Sequence, residues 1–401
     1  MSARGSVLGV VVLVAWLIVG PSGPADAAPR AWKVAAGASF SASESFLSGV
    51  SCVSPTFCVA VGSRSSGRKP VALAESWNGS TWNLMPVGSL SGELLGVSCV
   101  STRFCVAVGV AGTTSTIRPV IEVWRGSQWA STGTLSGGGV LGRVSCASPS
   151  FCVAVGTVGQ PTNPTSSSPQ VDVWNGKSWS ITPTPKTGKP ITGLSSVSCP
   201  MASFCAAVGD SGVAKPRNLA ITALAESWNG RRWALDATPK ATSPLSILSG
   251  VECSSALSCV AVGEGIGPLF EGWNGAAWKT LQGPRQQNAN YADVSCAPGG
   301  ACAAVGTIGG AVIIGGVAPM PYQVSCTTGG GAKPPCIRTA IAESQGGGSW
   351  SVVASPVVPG SDSVLNSVSC TSNIKQTLCT AVGLTTNRSL TTENSLIEMS
   401  G

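Results

Sequence analysis

The sequence predicts an all-β fold, a seven-bladed β-propeller of four-stranded blades, and three observations carry that expectation. The string "VSCVSPTFCVAVG" at 50 to 62, with its two cysteines, returns six more times in close variants. A turn of the form Trp-Asn-Gly-x-x-Trp follows most copies. The two ends of the chain hold complementary fragments of one repeat. Units of roughly 40 to 50 residues, each made of four short strands, are the mark of propeller blades.

Each unit contains four segments. Segment A ends in "VSC", or in "VEC" at 251 to 253; segment B reads "CVAVG", "CAAVG" or "CTAVG". Segment C carries an acid just before the first Trp position, as in "AESW", and segment D runs onward from the second Trp. All are short, rich in Val, Ala, Thr and Trp, and bounded by Gly, Pro, Asn and Ser, which is the composition of strands and turns. None holds a helical period. The last unit ends in "SLIEMSG" without a segment D, whereas "RAWKVAAG" at 30 to 37 is a segment D with no unit before it. Joined, they complete the seventh blade, close the ring and leave no sheet edge exposed at the seam.

The cysteines read as one staple per blade. If A and B form an antiparallel hairpin, five intervening residues set the sulfurs on facing positions, with Cα atoms expected about 4.5 to 5.5 Å apart. The expected bonds are Cys52–Cys58, Cys99–Cys105, Cys146–Cys152, Cys199–Cys205, Cys253–Cys259, Cys296–Cys302 and the wider Cys370–Cys379, with an eighth, Cys326–Cys336, inside an insertion in blade 6 at about 310 to 338. Closing so small a loop contributes about 2 kcal/mol on the loop-entropy estimate. Zinc and redox sites use closer Cys-x-x-Cys spacing, and the chain has no His, so neither a metal nor a cofactor is expected.

Composition bounds the compartment and the partners. Arg4, the apolar stretch Val7 to Val19 and the small residues Ala25-Asp26-Ala27 form a secretory signal over 1–27, leaving 28–401 as a single propeller. An apolar run of about 13 residues is too short to span a bilayer, and the mature chain is expected to hold no membrane span. Sixteen cysteines fit an oxidising, extracellular or envelope location. The net charge of +7 is spread over 401 residues as single cations, which argues against nucleic acid. A monomer is expected.

The stretch "LSGVSCVSPTFCVAVGSRSSGRKPVALAESWNGSTW" resembles the bacterial neuraminidase repeat, or Asp-box, propellers, and is similar to their photosystem assembly-factor and sialidase-like relatives. It is also similar to Cys-rich secreted repeat proteins of actinobacteria. The resemblance implies the propeller fold over nearly all the mature chain. Asn78, Asn175, Asn229 and Asn274 stand near the position of the family's Asp, and the Arg cluster and Tyr nucleophile of a sialidase have no clear counterpart.

Function is expected at the loops. The A–B and C–D connections are nearly constant in length, whereas B–C and D–A vary, and in an up-and-down blade those two pairs lie on opposite faces. Binding residues concentrate in loops held on a rigid scaffold, so the variable face is the candidate site for a protein or cell-envelope glycan. Arg118, Lys215, Arg217, Met320 and Tyr322 are its expected contacts. The repeated acids Glu75, Glu122, Asp172, Glu226, Glu271, Glu343 and Glu398 read as structural, because an active site is a unique constellation. The competing expectation is a carbohydrate-active hydrolase or lyase using the nonrepeated acids Glu93, Asp210 and Glu264.

Overall fold

Segment B is apolar without interruption because it lies inside a blade, covered on both faces. Val59, Ala60 and Val61 are fully buried, as are their counterparts Val153, Ala154 and Val155. The structure, a computed structural model, describes residues 31–38, 44–66, 69–88, 90–112, 117–132, 138–159, 166–215, 218–240, 243–286, 288–309, 338–344, 349–356, 358–359, 361–373, 377–387 and 393–400.

These residues form seven antiparallel sheets of four strands each, with A, B, C and D adjacent in order. In the seventh sheet the outer strand is Trp32–Val34, paired with Glu393–Ser400 in the register Trp32 to Ser400 and Val34 to Glu398. Strand A of each blade packs against strand A of the next, and Ser45–Ser54 meets Ser361–Ser372 to close the ring. The described residues contain no helix, and so none long and apolar enough to cross a membrane.

The "AVG" glycine follows from a bulge. In all seven blades the A–B register slips by one residue, as between Leu47 and Gly49 or between Leu365 and Ser367. The glycine of strand B faces that slip, and a Cβ on Gly62, Gly156 or Gly383 would collide with the carbonyl oxygen of Phe46, Val140 or Val364. Only glycine lets the backbones approach there.

Among the described residues seven disulfides are formed, one in each blade, in the expected pairing. Their Cα atoms are 3.9–4.1 Å apart, closer than the sequence suggests. In blades 1, 2, 3 and 5 a second slip directly follows the first cysteine, whereas blades 6 and 7 reach the same separation with an unshifted register there. Cys326 and Cys336 lie outside the described residues.

In the five units that carry two tryptophans, the two do different work. The first ties two turns together: Trp77, Trp124, Trp174, Trp228 and Trp273 each donate an indole N–H to a carbonyl in their own blade's A–B turn, at 3.0–3.2 Å. The second packs on the preceding blade, Trp129 against Val59 and Val61 of blade 1 and Trp278 against Ala206 and Val208 of blade 4. Between them, Asn78, Asn175, Asn229 and Asn274 each accept two turn amides, and the next residue is a glycine at positive φ. Asn here performs the amide-accepting task that a carboxylate can also perform.

Candidate functional site: the central cup and the two faces

Alternation decides what strand A shows to the ring axis. In "VSC" the Val and Cys side chains turn into the blades, and the Ser side chain turns toward the channel and the next blade. Each serine oxygen accepts the N–H of the following blade's first cysteine: Cys99 from Ser51, Cys146 from Ser98, Cys199 from Ser145, Cys253 from Ser198, Cys370 from Ser295 and Cys52 from Ser369, all at 2.9–3.0 Å. Six of seven blade junctions carry this stitch. At the seventh, Glu252 replaces the serine.

A second ring lies two residues earlier and is irregular: Gly49, Gly96, Arg143, Ser196, Gly250, Asp293 and Ser367. Arg143 of blade 3 reaches across the axis, donating from Nη1 to Leu95 O at 3.0 Å in blade 2 and from Nη2 to Asn366 O at 3.0 Å in blade 7. Its Nε is buried with no partner. Asp293 is fully engaged, accepting from Ser367 Oγ at 2.7 Å, Val368 N at 3.1 Å and Val294 N at 3.0 Å. Burial pushes its carboxyl up, and the nearby Arg143 charge and those bonds oppose the push.

Between the two rings and the A–B turns lies a polar cavity of about 280 Å³. Its lining runs from Gly49, Arg143 and Asp293 down to the cysteines and Pro200, and includes no residue from the loop end of strand A. It is a cup with Arg143 at its floor, opening toward the A–B turns. Glu252 hangs in its wall, partly exposed to the cup. Burial and the Asp293 charge push the Glu252 carboxyl up to about 8, against a hydrogen bond from Ser198.

The two faces differ in charge. On the turn face, the described A–B and C–D turns carry Arg103, Arg125, Lys177, Arg231 and Arg232, all exposed, and no carboxylate. Carboxylates gather at the loop face. Asp210 and Glu264 sit one residue past the "AVG" glycine of neighbouring blades. Burial and the Asp210 charge push Glu264 up to about 7. Asp210, pushed up to about 6 by burial, is 1 % exposed, and its Oδ2 has no partner. Glu93, pushed up to about 7 by burial and by Glu393, belongs to a different group. The three nonrepeated acids therefore do not form one site.

Of the expected contacts, Arg118 is the exposed first residue of strand C in blade 2. Lys215 ends strand B of blade 4, where only its backbone is described, and Arg217, Met320 and Tyr322 lie outside the described residues. Three of the repeated acids bond across a blade junction. Glu343 accepts the Trp32 indole of blade 7 at 2.9 Å, Glu75 accepts Ala38 N at 3.1 Å, and Glu398 accepts Ser355 Oγ at 3.1 Å. Arg143, Glu252 and Asp293 escape a reading that follows the repeat, because they are its exceptions. The odd residue of the "VSC" column and the mixed column before it are the signals that find them. The described residues hold no cluster of His, Cys, Asp and Glu able to bind a metal.

No protein-family model and no curated protein matches the chain. Solved structures do. The chain is similar to the WD40 β-propeller domain of Doa1, with 10% identity, a TM-score of 0.54 and coverage of 92% of this chain and 97% of that one. It is similar to YCF48 from Cyanidioschyzon merolae, with 14% identity, a TM-score of 0.51 and coverage of 92% and 98%. YCF48 bound to D1 peptide gives 11% identity, a TM-score of 0.51 and coverage of 92% and 96%. At such identities the likeness speaks to the propeller fold alone.

Proposed function

We propose that the protein is an exported, non-catalytic binding or scaffolding propeller of the neuraminidase-repeat type, recognising a protein or a cell-envelope glycan on its loop face. One observation carries this reading: variation in connection length is confined to that face. The B–C connections range from the short link between Ser66 and Lys69 to the long one between Ile308 and Arg338, on a scaffold whose opposite turns hardly change. Variable loops on an invariant frame are how binding surfaces are made. YCF48, a propeller of similar shape, binds the D1 peptide, which supports a protein ligand for this one. Seven disulfides fit an oxidising compartment.

The test is a glycan and envelope-protein array probed with the intact protein, with a variant lacking residues 310–338, and with one whose blade 2 and blade 3 B–C loops are replaced by the blade 5 loop. The reading predicts that at least one ligand is lost on loop replacement. Ligands indifferent to every loop change would contradict it. The second reading, a hydrolase or lyase, is favoured by the Asp210 charge acting on Glu264 in the neighbouring blade, since nearby carboxyls are a device of paired-carboxyl chemistry. The burial of Asp210 weighs against it. Turnover of an array glycan, abolished in Glu264→Gln with binding kept, would support that reading.

A further inference from the structure

The cup is ringed by serine hydroxyls. Each "VSC" serine accepts a cysteine N–H with its oxygen, which leaves its hydroxyl hydrogen to donate elsewhere. For Ser51, Ser98, Ser145, Ser295 and Ser369 the described residues provide no acceptor, and all five line the cavity. At the floor lies the Arg143 guanidinium, whose Nη1 and Nη2 are bonded to backbone carbonyls. Asp293, which would otherwise serve as an acceptor, is consumed by its three donors. A ring of hydroxyl donors above a guanidinium is an arrangement for a group that brings oxygen lone pairs and negative charge.

The surroundings favour the same charge. The cup opens on the turn face, where the described turns bear five exposed cations and no carboxylate. A field of one sign around a concave site raises the local concentration of the opposite ion. The volume, about 280 Å³, suits a small organic acid or an acidic side chain and is too small for an oligosaccharide.

We propose that the cup is a binding site for a small oxyanion, a carboxylate in the first instance, held by serine hydroxyls of the ring over the Arg143 charge. The carboxylate belongs either to a free organic acid or to an acidic peptide. Glu252 acts as the gate. Protonated, it adds one more donor to the ring; ionised, it repels the ligand. Because burial and Asp293 hold its proton up to about pH 8, the site is open at neutral pH and closes above that value.

The experiment is a chemical-shift titration of the intact, oxidised protein with sodium acetate, and separately with a short Glu-rich peptide, following the amides of Cys99 and Cys146. Saturable shifts are expected at about pH 6.5, with affinity falling up to tenfold per pH unit above Glu252's transition. Tighter binding of the peptide than of acetate assigns the peptide source, and equal binding assigns the free acid. Glu252→Ser, which restores the repeat's own residue, should keep binding and remove its pH dependence. Arg143→Gln should abolish binding; should it fail to fold, the pair Ser98→Ala and Ser145→Ala should weaken binding about tenfold. Absence of saturable shifts with both probes, or affinity that rises with pH, overturns the proposal. These variants lie on the opposite face from the loop replacements, so either reading can fail alone.

Discussion

At the residue scale, the "VSC" serine stitches one blade to the next. Ser98 accepts the amide of Cys146 across a blade junction, and removing that oxygen leaves a part-buried N–H with nothing to replace it. Ser98→Ala should therefore cost about 1–3 kcal/mol in non-reducing urea unfolding, whereas Ser80→Ala on an exposed turn should cost under about 0.5 kcal/mol. The repeated acids make a second prediction. Burial pushes Glu75, Glu271 and Glu398 up from an ordinary 4.5 to about 7, and burial together with Asp236 pushes Glu226 up to about 8. The unfolded chain loses these protons near pH 4.5 while the folded chain keeps them, so their contribution is greatest below that value and fades as pH climbs toward 8. The melting temperature should fall between about pH 5 and 8, and Glu226→Gln should flatten part of the fall. A pH-independent melting curve would contradict the burial of these groups. The same scale marks the limit of sequence reading. The structural task of the repeated acids is legible from their sevenfold recurrence, but Arg143 and Glu252 acquire meaning only once strand A is known to line the axis.

At the element scale, the A–B hairpin carries a bulge, a glycine and a disulfide within one short stretch. Gly156→Ala would drive a methyl group into Val140 O and should cost several kcal/mol, or prevent folding, by forcing the bulge to repack. Replacing both Cys99 and Cys105 by Ser should cost about 2 kcal/mol on the loop-entropy estimate, read as a shift in denaturant midpoint with little change in slope. Strand order, strand type and cysteine pairing are all legible in the sequence because period, turn residues and spacing agree. The 3.9–4.1 Å Cα separations are not, since spacing alone does not reveal which kind of ladder pair the two cysteines occupy.

At the scale of the whole molecule, the ring is a closed series of like interfaces, and its closure rests on a three-residue strand. Trp32–Val34 pairs with Glu393–Ser400, Ala35 N donates to Ile397 O at 2.8 Å, and the Trp32 indole reaches Glu343 in the neighbouring blade. That seam is legible in the sequence because the terminal fragments are complementary. The asymmetry of the channel is not, because a repeat reading averages over the residues that break it. The most direct test of the ring is hydrogen exchange of the outer seam. In the intact chain the amides paired between 32–34 and 398–400 should be protected to a degree comparable with strand D of the other blades, and a chain beginning at residue 39 should lose that protection in 393–400. Rapid exchange at 398–400 in the full chain, or protection unchanged when the leading segment is removed, would contradict a ring sealed by its own two ends.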